Sequence, residues 1–270
     1  MAEHTIAVLG AGKIGELVLS GLLRAGWPAS QLLVTVRRPE RGDELSARYG
    51  VRIVDNLTAV AEADVLAVSV KPQDAGVLFE EIGPKVPAGK LIVSLCAGLP
   101  TTFFAARLSE GIPVVRVMTN TPALVDEAMT AISAGQYATG EHLAIAEEMF
   151  KPLGKTIRVP ESQQDAVTAL SGSGPAYFYL LVEAMIDAGI LLGLPRQVAH
   201  ELIVQTAIGS AVMLRDSGEH PVKLREAVTS PAGTTISAIR ELENHGVRAA
   251  MLSALEAARD RAREIAAQSA

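Results

Sequence analysis

Three glycines near the amino end of the chain have the spacing of a phosphate-binding turn. Gly10, Gly12 and Gly15 form the pattern G-x-G-x-x-G and follow the apolar run 6–9. Apolar residues at helical spacing come next, so the segment predicts a strand, a tight turn and a helix. The first glycine permits the turn, the second lets the backbone approach a pyrophosphate, and the third lets helix and strand pack closely. We therefore predict a dinucleotide site at the amino end of the helix; a tight turn without a ligand is the alternative.

The residues after the second predicted strand, at 31–36, bear on which dinucleotide is bound. Enzymes that use NAD usually place Asp or Glu here, where it binds the ribose 2′-hydroxyl. This chain has Arg37 and Arg38, whose guanidinium groups suit a 2′-phosphate. The sequence therefore favours NADPH, with NADH as a poorer substitute. Two arginines that contact only solvent are the alternative.

Later strands repeat the same arrangement, because they too end in small or polar residues. Strands are predicted at residues 51–54, 64–70, 91–95, 113–117, 128–134 and 156–159, with a helix at 142–152. This alternation indicates an α/β fold with a Rossmann-type, doubly wound sheet, in which ligands bind at the carboxyl edge. Cys96 follows one of these strands. Since no histidine lies nearby in sequence, a small residue beside the cofactor is favoured over a nucleophile.

Beyond Glu161 the strand patterns disappear and the chain is predicted to be all helical. Apolar residues recur at helical spacing through 176–192, 197–214, 222–228, 236–243 and 247–267. We therefore predict two domains, 1–160 and 161–270. The helices carry few charges on any side, and such helices need a partner on more than one face. The helical domain is thus predicted to form a homodimer.

Two segments of the helical half offer groups that bind anions. Residues 171–175, Ser-Gly-Ser-Gly-Pro, precede the longest apolar helix and are predicted to begin it with free backbone N–H groups. A capping device alone is the alternative. Residues 229–235, Thr-Ser-Pro-Ala-Gly-Thr-Thr, offer N–H groups and hydroxyls to a small carboxylate, with an ordinary Ser/Thr cap as the alternative.

Composition argues against several classes of function. The 270 residues carry a net charge of −6 and include one cysteine and five scattered histidines. These features argue against a nucleic-acid partner, an internal disulfide and a metal site. No export signal is visible, so a cytoplasmic location is expected. Glu183 and Asp187 interrupt the apolar run 176–192, so we predict a helix buried in protein and no membrane span.

Together these motifs resemble the pyrroline-5-carboxylate reductase family, which catalyses the last step of proline biosynthesis. The most specific part is residues 224–236, supported by 171–177, 70–72 and 118–122. The resemblance covers nearly the whole chain. It implies an amino-terminal NAD(P)H-binding domain and a helical domain that dimerises by interlocking, often within a ring of dimers. It also implies hydride transfer from NADPH to the imine carbon of 1-pyrroline-5-carboxylate, giving L-proline.

The resemblance further implies which residues form the site. Cofactor contacts are expected at Gly10, Ala11, Gly12, Lys13, Ile14, Gly15, Arg37, Arg38, Asn56, Val70, Lys71, Pro72, Cys96, Ala97 and Gly98. Substrate contacts are expected at Glu161, Ser230, Gly233, Thr234 and Thr235, with the Thr235 hydroxyl as the catalytic group beside the ring nitrogen. No metal is expected.

The chain departs from the family pattern at Ala232, where many members have a second glycine, so the backbone there is expected to be less free. The Arg37-Arg38 pair lies in a segment that varies within the family, so the preference for NADPH depends on the charge argument alone.

Two other functions stay open from the residues. A β-hydroxyacid or imine reductase of the same plan is one, although the long helix has no lysine between Pro175 and Leu194. A non-catalytic NADPH-binding scaffold or a pyridoxal-phosphate-type binding protein is the other. Turnover of NADPH with pyrroline-5-carboxylate separates these from the reductase.

Overall fold

The structure is a computed structural model that describes residues 4–269. Contacts divide it into two compact units. The first comprises the residues up to Ser173 together with those from Ala257 onward, and the second is Gly174–Glu256. The predicted division between residues 160 and 161 stays a prediction.

The first unit is built on one sheet of eight strands with helices between them. The strands are β1 (Ile6–Leu9), β2 (Leu32–Thr35), β3 (Arg52–Ile53), β4 (Val65–Val68), β5 (Leu91–Ser94), β6 (Val114–Met118), β7 (Ala128–Ala134) and β8 (Gly154–Arg158). The helices are α1 (Lys13–Arg24), α2 (Pro39–Tyr49), α3 (Asn56–Glu62), α4 (Pro72–Ile82), α5 (Thr101–Ala105), α6 (Gly140–Phe150) and α7 (Gln164–Val167).

The strand order is β3-β2-β1-β4-β5-β6-β7-β8. The first six strands are parallel, in the order typical of dinucleotide-binding sheets. The predicted doubly wound sheet is therefore confirmed. The sequence did not predict that β7 runs antiparallel to β6. The chain between them forms only a short 3₁₀ helix at Thr121–Val125, which cannot make the long crossover that a parallel pair needs.

Both faces of the inner strands are covered, as apolar strands require, while the edge strands β3 and β8 are more exposed. In β1, Ile6 and Val8 pack into one buried cluster with α1 and α6, which contributes Phe150. Ala7 and Leu9 pack into a second cluster with α3, α4 and α5. The carboxyl ends of β1, β2, β4 and β5 are thereby held at one edge, where the predicted cofactor residues lie.

The second unit contains α8 (Gly174–Leu191), α9 (Arg196–Asp216), α10 (Pro221–Ala227), α11 (Thr234–Asn244) and the first part of α12 (Val247–Ser269). The predicted all-helical half is confirmed. Helices α8 and α9 approach closely where Gly189 faces Ala199, since a Cβ at Gly189 would lie 2.9 Å from the Ala199 Cβ.

The prediction that the long apolar helix is buried in protein is wrong for the single chain. Leu180 is 65% exposed and Leu191 is 88% exposed, because α9 covers only part of α8 within the second unit. By length and composition alone, the helical stretch Glu161–Leu191 is apolar enough to cross a membrane.

Candidate active site

The glycine turn between β1 and α1 is held by backbone hydrogen bonds to the end of β2. The N–H groups of Gly10 and Ala11 both donate to the Thr35 carbonyl, at 3.2 Å each. Gly12 precedes α1, and none of the described side chains caps this helix. The N–H groups of its first turn are therefore available to an anion.

The three glycines meet different surroundings. Gly10 has a φ of +87°, and a Cβ there would lie 2.5 Å from Val70 Cγ1. A Cβ on Gly15 would lie 2.5 Å from Ser69 Oγ, whereas one on Gly12 would meet no described atom within 4 Å. Gly10 and Gly15 thus allow α1 and β1 to approach the end of β4. Gly12 faces open space, where a ligand would approach.

A cavity of about 610 Å³ opens in front of this turn. It is lined by Gly10, Ala11, Gly12, Thr35, Val36, Arg37, Arg38, Arg41, Asn56, Ser69, Val70, Lys71, Asp74, Val77, Leu78 and Glu81. Its volume, its uncapped helix end and its arginines fit a phosphorylated dinucleotide.

The cavity brings together only part of the predicted cofactor set. Gly10, Ala11, Gly12, Arg37, Arg38, Asn56, Val70 and Lys71 line it. Lys13, Ile14, Gly15, Pro72, Cys96, Ala97 and Gly98 are not among its lining residues.

Arg41 is a cavity residue that the sequence analysis missed. Its Nε donates to the Ala11 carbonyl at 3.4 Å, and its guanidinium pairs with Glu16 and Glu44. Arg41 lies four positions after Arg37, in the first turn of α2. This short spacing from the predicted arginine pair was the signal in the sequence that could have identified it. The basic side of the cavity therefore has three arginines.

The Glu16 carboxylate fixes the position of Arg41. Burial by itself raises the pKa of Glu16, but hydrogen bonds from Arg41 and Tyr49 and the charges of Arg41 and Arg48 outweigh it. The pKa of Glu16 is therefore held below its usual value, and the residue stays ionised near neutral pH.

Helix α4 supplies an acidic side to the same cavity, which the sequence analysis also missed. Asp74 and Glu81 lie two helical turns apart, on one face. Arg37 Nη1 lies 3.2 Å from Asp74 Oδ1, and Asn56 Nδ2 donates to Glu81 Oε2 at 2.9 Å. Two predicted cofactor residues are thus held by carboxylates of α4.

The loop after β5 is tied to the end of β4 through Cys96. This side chain is buried, and its thiol donates to the Val70 carbonyl at an S···O distance of 3.4 Å. Burial raises the pKa of Cys96 to about 12. The thiol is therefore neutral at physiological pH, which argues against a nucleophile.

Glu161 connects the segment after β8 to the start of α5. Its carboxylate accepts hydrogen bonds from the N–H and the hydroxyl of Thr101, at 2.6 Å each. The buried Arg116 guanidinium lies 3.6 Å from it and also pairs with Asp165 at 3.4 Å. Both oxygens of Glu161 therefore have partners, and its expected proximity to substrate stays a prediction.

Two motifs of the family resemblance meet in the first unit. Asn120 Nδ2 donates to the carbonyl and hydroxyl of Ser171, at 3.2 and 3.3 Å. The predicted helix start within residues 171–175 is confirmed, since α8 begins at Gly174. The expectation of free N–H groups is wrong at Ser173, because the π-helical turn Thr168–Gly172 runs directly into this helix. The Ser173 N–H already donates to the Thr168 carbonyl at 2.8 Å.

In the second unit, the loop 229–233 ends at the amino terminus of α11. None of the described side chains caps α11, so the alternative of an ordinary Ser/Thr cap does not describe this end. Ala232 has a φ of +58°, in the left-handed region. The Thr235 hydroxyl forms no hydrogen bond within the part of the chain that the structure describes. N–H groups and hydroxyls of Thr234 and Thr235 are thus available together.

Comparisons with known proteins agree with this geometry. Residues 161–265 match the family model described as pyrroline-5-carboxylate reductase dimerisation. A pyrroline-5-carboxylate reductase of Corynebacterium melassecola is 44% identical over 97% of this chain and 98% of its own length. The chain belongs to the pyrroline-5-carboxylate reductase family. The resemblance inferred from the motifs is confirmed, and the hydroxyacid enzyme and the non-catalytic scaffold are set aside.

Solved structures give the same result across both halves of the chain. The pyrroline-5-carboxylate reductase of Coxiella burnetii is 33% identical and has a TM-score of 0.88, covering 97% of this chain and 98% of that one. The Plasmodium falciparum pyrroline carboxylate reductase, solved with NADP bound, is 26% identical with a TM-score of 0.89 and covers 98% and 99%. Residues 5–98 also match the model described as NADP oxidoreductase, coenzyme F420-dependent. The chain is therefore an oxidoreductase of this family.

Proposed function

We propose that this chain reduces 1-pyrroline-5-carboxylate to L-proline, with NADPH as the cofactor. The observation that carries the proposal is the cavity at the uncapped end of α1, with arginines after β2, in a chain 44% identical to a reductase of this name. When bound, reduced nicotinamide supplies the hydride. The N–H groups that begin α1 would hold the pyrophosphate, and Arg37 and Arg38 would face the 2′-phosphate.

The loop before α11 is proposed as the substrate carboxylate site. N–H groups at an uncapped helix start attract a carboxylate, and Ser230 and Thr234 add hydroxyl donors. A protonated cyclic imine is already electrophilic, so positioning is the main task of the protein. A threonine hydroxyl is a poor general acid. Thr235 would therefore hydrogen-bond the ring nitrogen, while solvent or a relay supplies the proton.

The exposed apolar surface of the second unit supports a homodimer through the helical domain. A second copy, rather than lipid, would cover α8, because Glu183 and Asp187 are costly in a membrane and Asp187 pairs with Arg196 at 3.1 Å. An interlocked dimer within a larger ring and a cytoplasmic location are parts of the same proposal. A domain division at residue 161, where the matched dimerisation model begins, also belongs to it.

The test is NADPH oxidation that depends on 1-pyrroline-5-carboxylate. Thr235→Val should lower kcat/KM roughly 5- to 150-fold, which corresponds to about 1–3 kcal/mol for an unpaired polar group. Thr206→Val is the matched control, since that hydroxyl only donates within its own helix, to the Leu202 carbonyl. Tight NADPH binding without turnover would contradict the activity, and an unchanged Thr235→Val enzyme would remove the role of Thr235.

A further inference from the structure

The proposed cofactor cavity has arginines on one side and two carboxylates of α4 on the other, where Lys71 at the amino end of α4 is also a lining residue. Arg37, Arg38 and Arg41 follow β2, while Asp74 and Glu81 extend from α4. Across the cavity, Arg37 Nη1 lies 3.2 Å from Asp74 Oδ1. The guanidinium predicted to bind a 2′-phosphate therefore already has a carboxylate partner.

Asp74 lines the same cavity as the residues that follow β2, although it comes from another part of the chain. In NAD enzymes an acid normally follows β2 and accepts a hydrogen bond from the ribose 2′-hydroxyl. Here arginines follow β2, and Asp74 is 37 residues beyond Arg37. In the sheet, β2 and β4 flank β1. The loop after β2 and the first turn of α4 therefore meet above the same edge.

A 2′-phosphate would have to share Arg37 with Asp74. The phosphate carries a charge close to −2, so a carboxylate within a few ångströms of it is unfavourable and the effect is weakened by salt. The Arg37 side chain is 78% exposed, and an exposed pair of this kind contributes little to folding. Removing the Asp74 charge should thus affect the ligand more than the fold.

We propose that Asp74 is a specificity-determining residue that limits the preference for NADPH over NADH. It competes with the 2′-phosphate for Arg37 and offers a hydrogen-bond acceptor to a ribose 2′-hydroxyl. The inference depends on the proposed function, because it assumes that a nicotinamide dinucleotide occupies this cavity.

Calorimetric titration with NADPH and NADH, without substrate, tests the inference. Asp74→Asn should raise the ratio of the NADH Kd to the NADPH Kd by roughly three- to tenfold at low salt, and less at high salt, as expected for a screened charge effect. Glu80→Gln is the matched control, because Glu80 is exposed on α4 and does not line the cavity. Its Kd ratio should stay within twofold of wild type, roughly the limit expected for a remote screened charge.

The outcomes separate the two proposals. If the wild-type protein binds neither dinucleotide, the proposed function fails. If it binds them and Asp74→Asn changes the Kd ratio no more than Glu80→Gln does, the role of Asp74 is overturned. Circular dichroism establishes that each variant is folded, and Asp74→Ser provides a second substitution with the same expected direction.

Discussion

At the residue scale, two glycines of the turn have different roles: Gly10 allows close packing against Val70, whereas Gly12 leaves open space in front of the backbone. Gly10→Ala would place a side chain on a residue whose φ is left-handed, and its Cβ would collide with Val70. The free energy of unfolding should therefore fall by about 2 kcal/mol or more. Gly12→Ala should change it by less than about 0.5 kcal/mol. It should nevertheless raise the NADPH Kd by roughly tenfold, since the added methyl would occupy open space where the pyrophosphate is proposed to approach the backbone. Chemical denaturation and calorimetry measure the two effects; equal stability losses would contradict this assignment.

Ala232 carries backbone strain at the position where many family members have glycine. Its φ of +58° costs a residue with a Cβ about 1–2 kcal/mol. Glycine would avoid this cost, but its more flexible unfolded chain would offset part of the gain. Ala232→Gly should therefore raise the free energy of unfolding by up to about 1 kcal/mol. Ala232→Val should lower it, because a branched side chain tolerates this region less well. Urea denaturation measures both, and a less stable glycine variant would show that no strain is stored there.

Cys96 should give the protein a pH dependence in the alkaline range. Its pKa of about 12 in the fold exceeds the ordinary value of 9.0 because the thiol is buried. The unfolded chain therefore loses this proton first, and stability that is fully present below pH 9 declines as pH rises toward 12. The slope should reach about 1.4 kcal/mol per pH unit. The free energy of unfolding, measured by denaturation between pH 8 and 10.5, should show this decline in the wild type and lack it in Cys96→Ala.

At the element scale, the segment after β8 is tied through Glu161 to the start of α5 and to β6, which lie far from it in sequence. Glu161→Ala should lower the free energy of unfolding by about 1–3 kcal/mol, because it leaves the Thr101 N–H and the buried Arg116 without this partner. Glu147→Ala is the control, since its ion pair with Arg158 is more exposed and should contribute less than about 1 kcal/mol. A loss at Glu161 no larger than the loss at Glu147 would contradict the supporting role.

At the scale of the whole molecule, the second unit exposes many large apolar side chains, such as Leu180, Leu191 and Leu192, and a surface of this kind is typical of a protein–protein interface. Light scattering should return at least a dimer. Leu180→Glu, on α8, should lower the measured mass, because a charge would be buried in the proposed interface. Leu124→Glu is a control of similar exposure in the first unit and should leave the mass unchanged. A monomeric wild type would overturn the proposed assembly.

The sequence alone determined the glycine turn, the bounds of most strands and the long helices to within a few residues. These features depend on backbone preference and apolar periodicity, which neighbouring residues set. It also determined the family, since residues 224–236 are a contiguous motif. The direction of β7 was not predictable from local residues, because it depends on whether the segment between β6 and β7 can make the crossover that a parallel pair needs.

Only the tertiary structure decided which distant side chains meet. Asp74 reaches Arg37 because β2 and β4 both adjoin β1, and Glu161 reaches Thr101 across 60 residues. Such contacts follow from strand order and crossover geometry rather than from any local pattern. The exposure of α8 was likewise decided there, because periodicity shows that a helix face must be covered without showing which chain covers it.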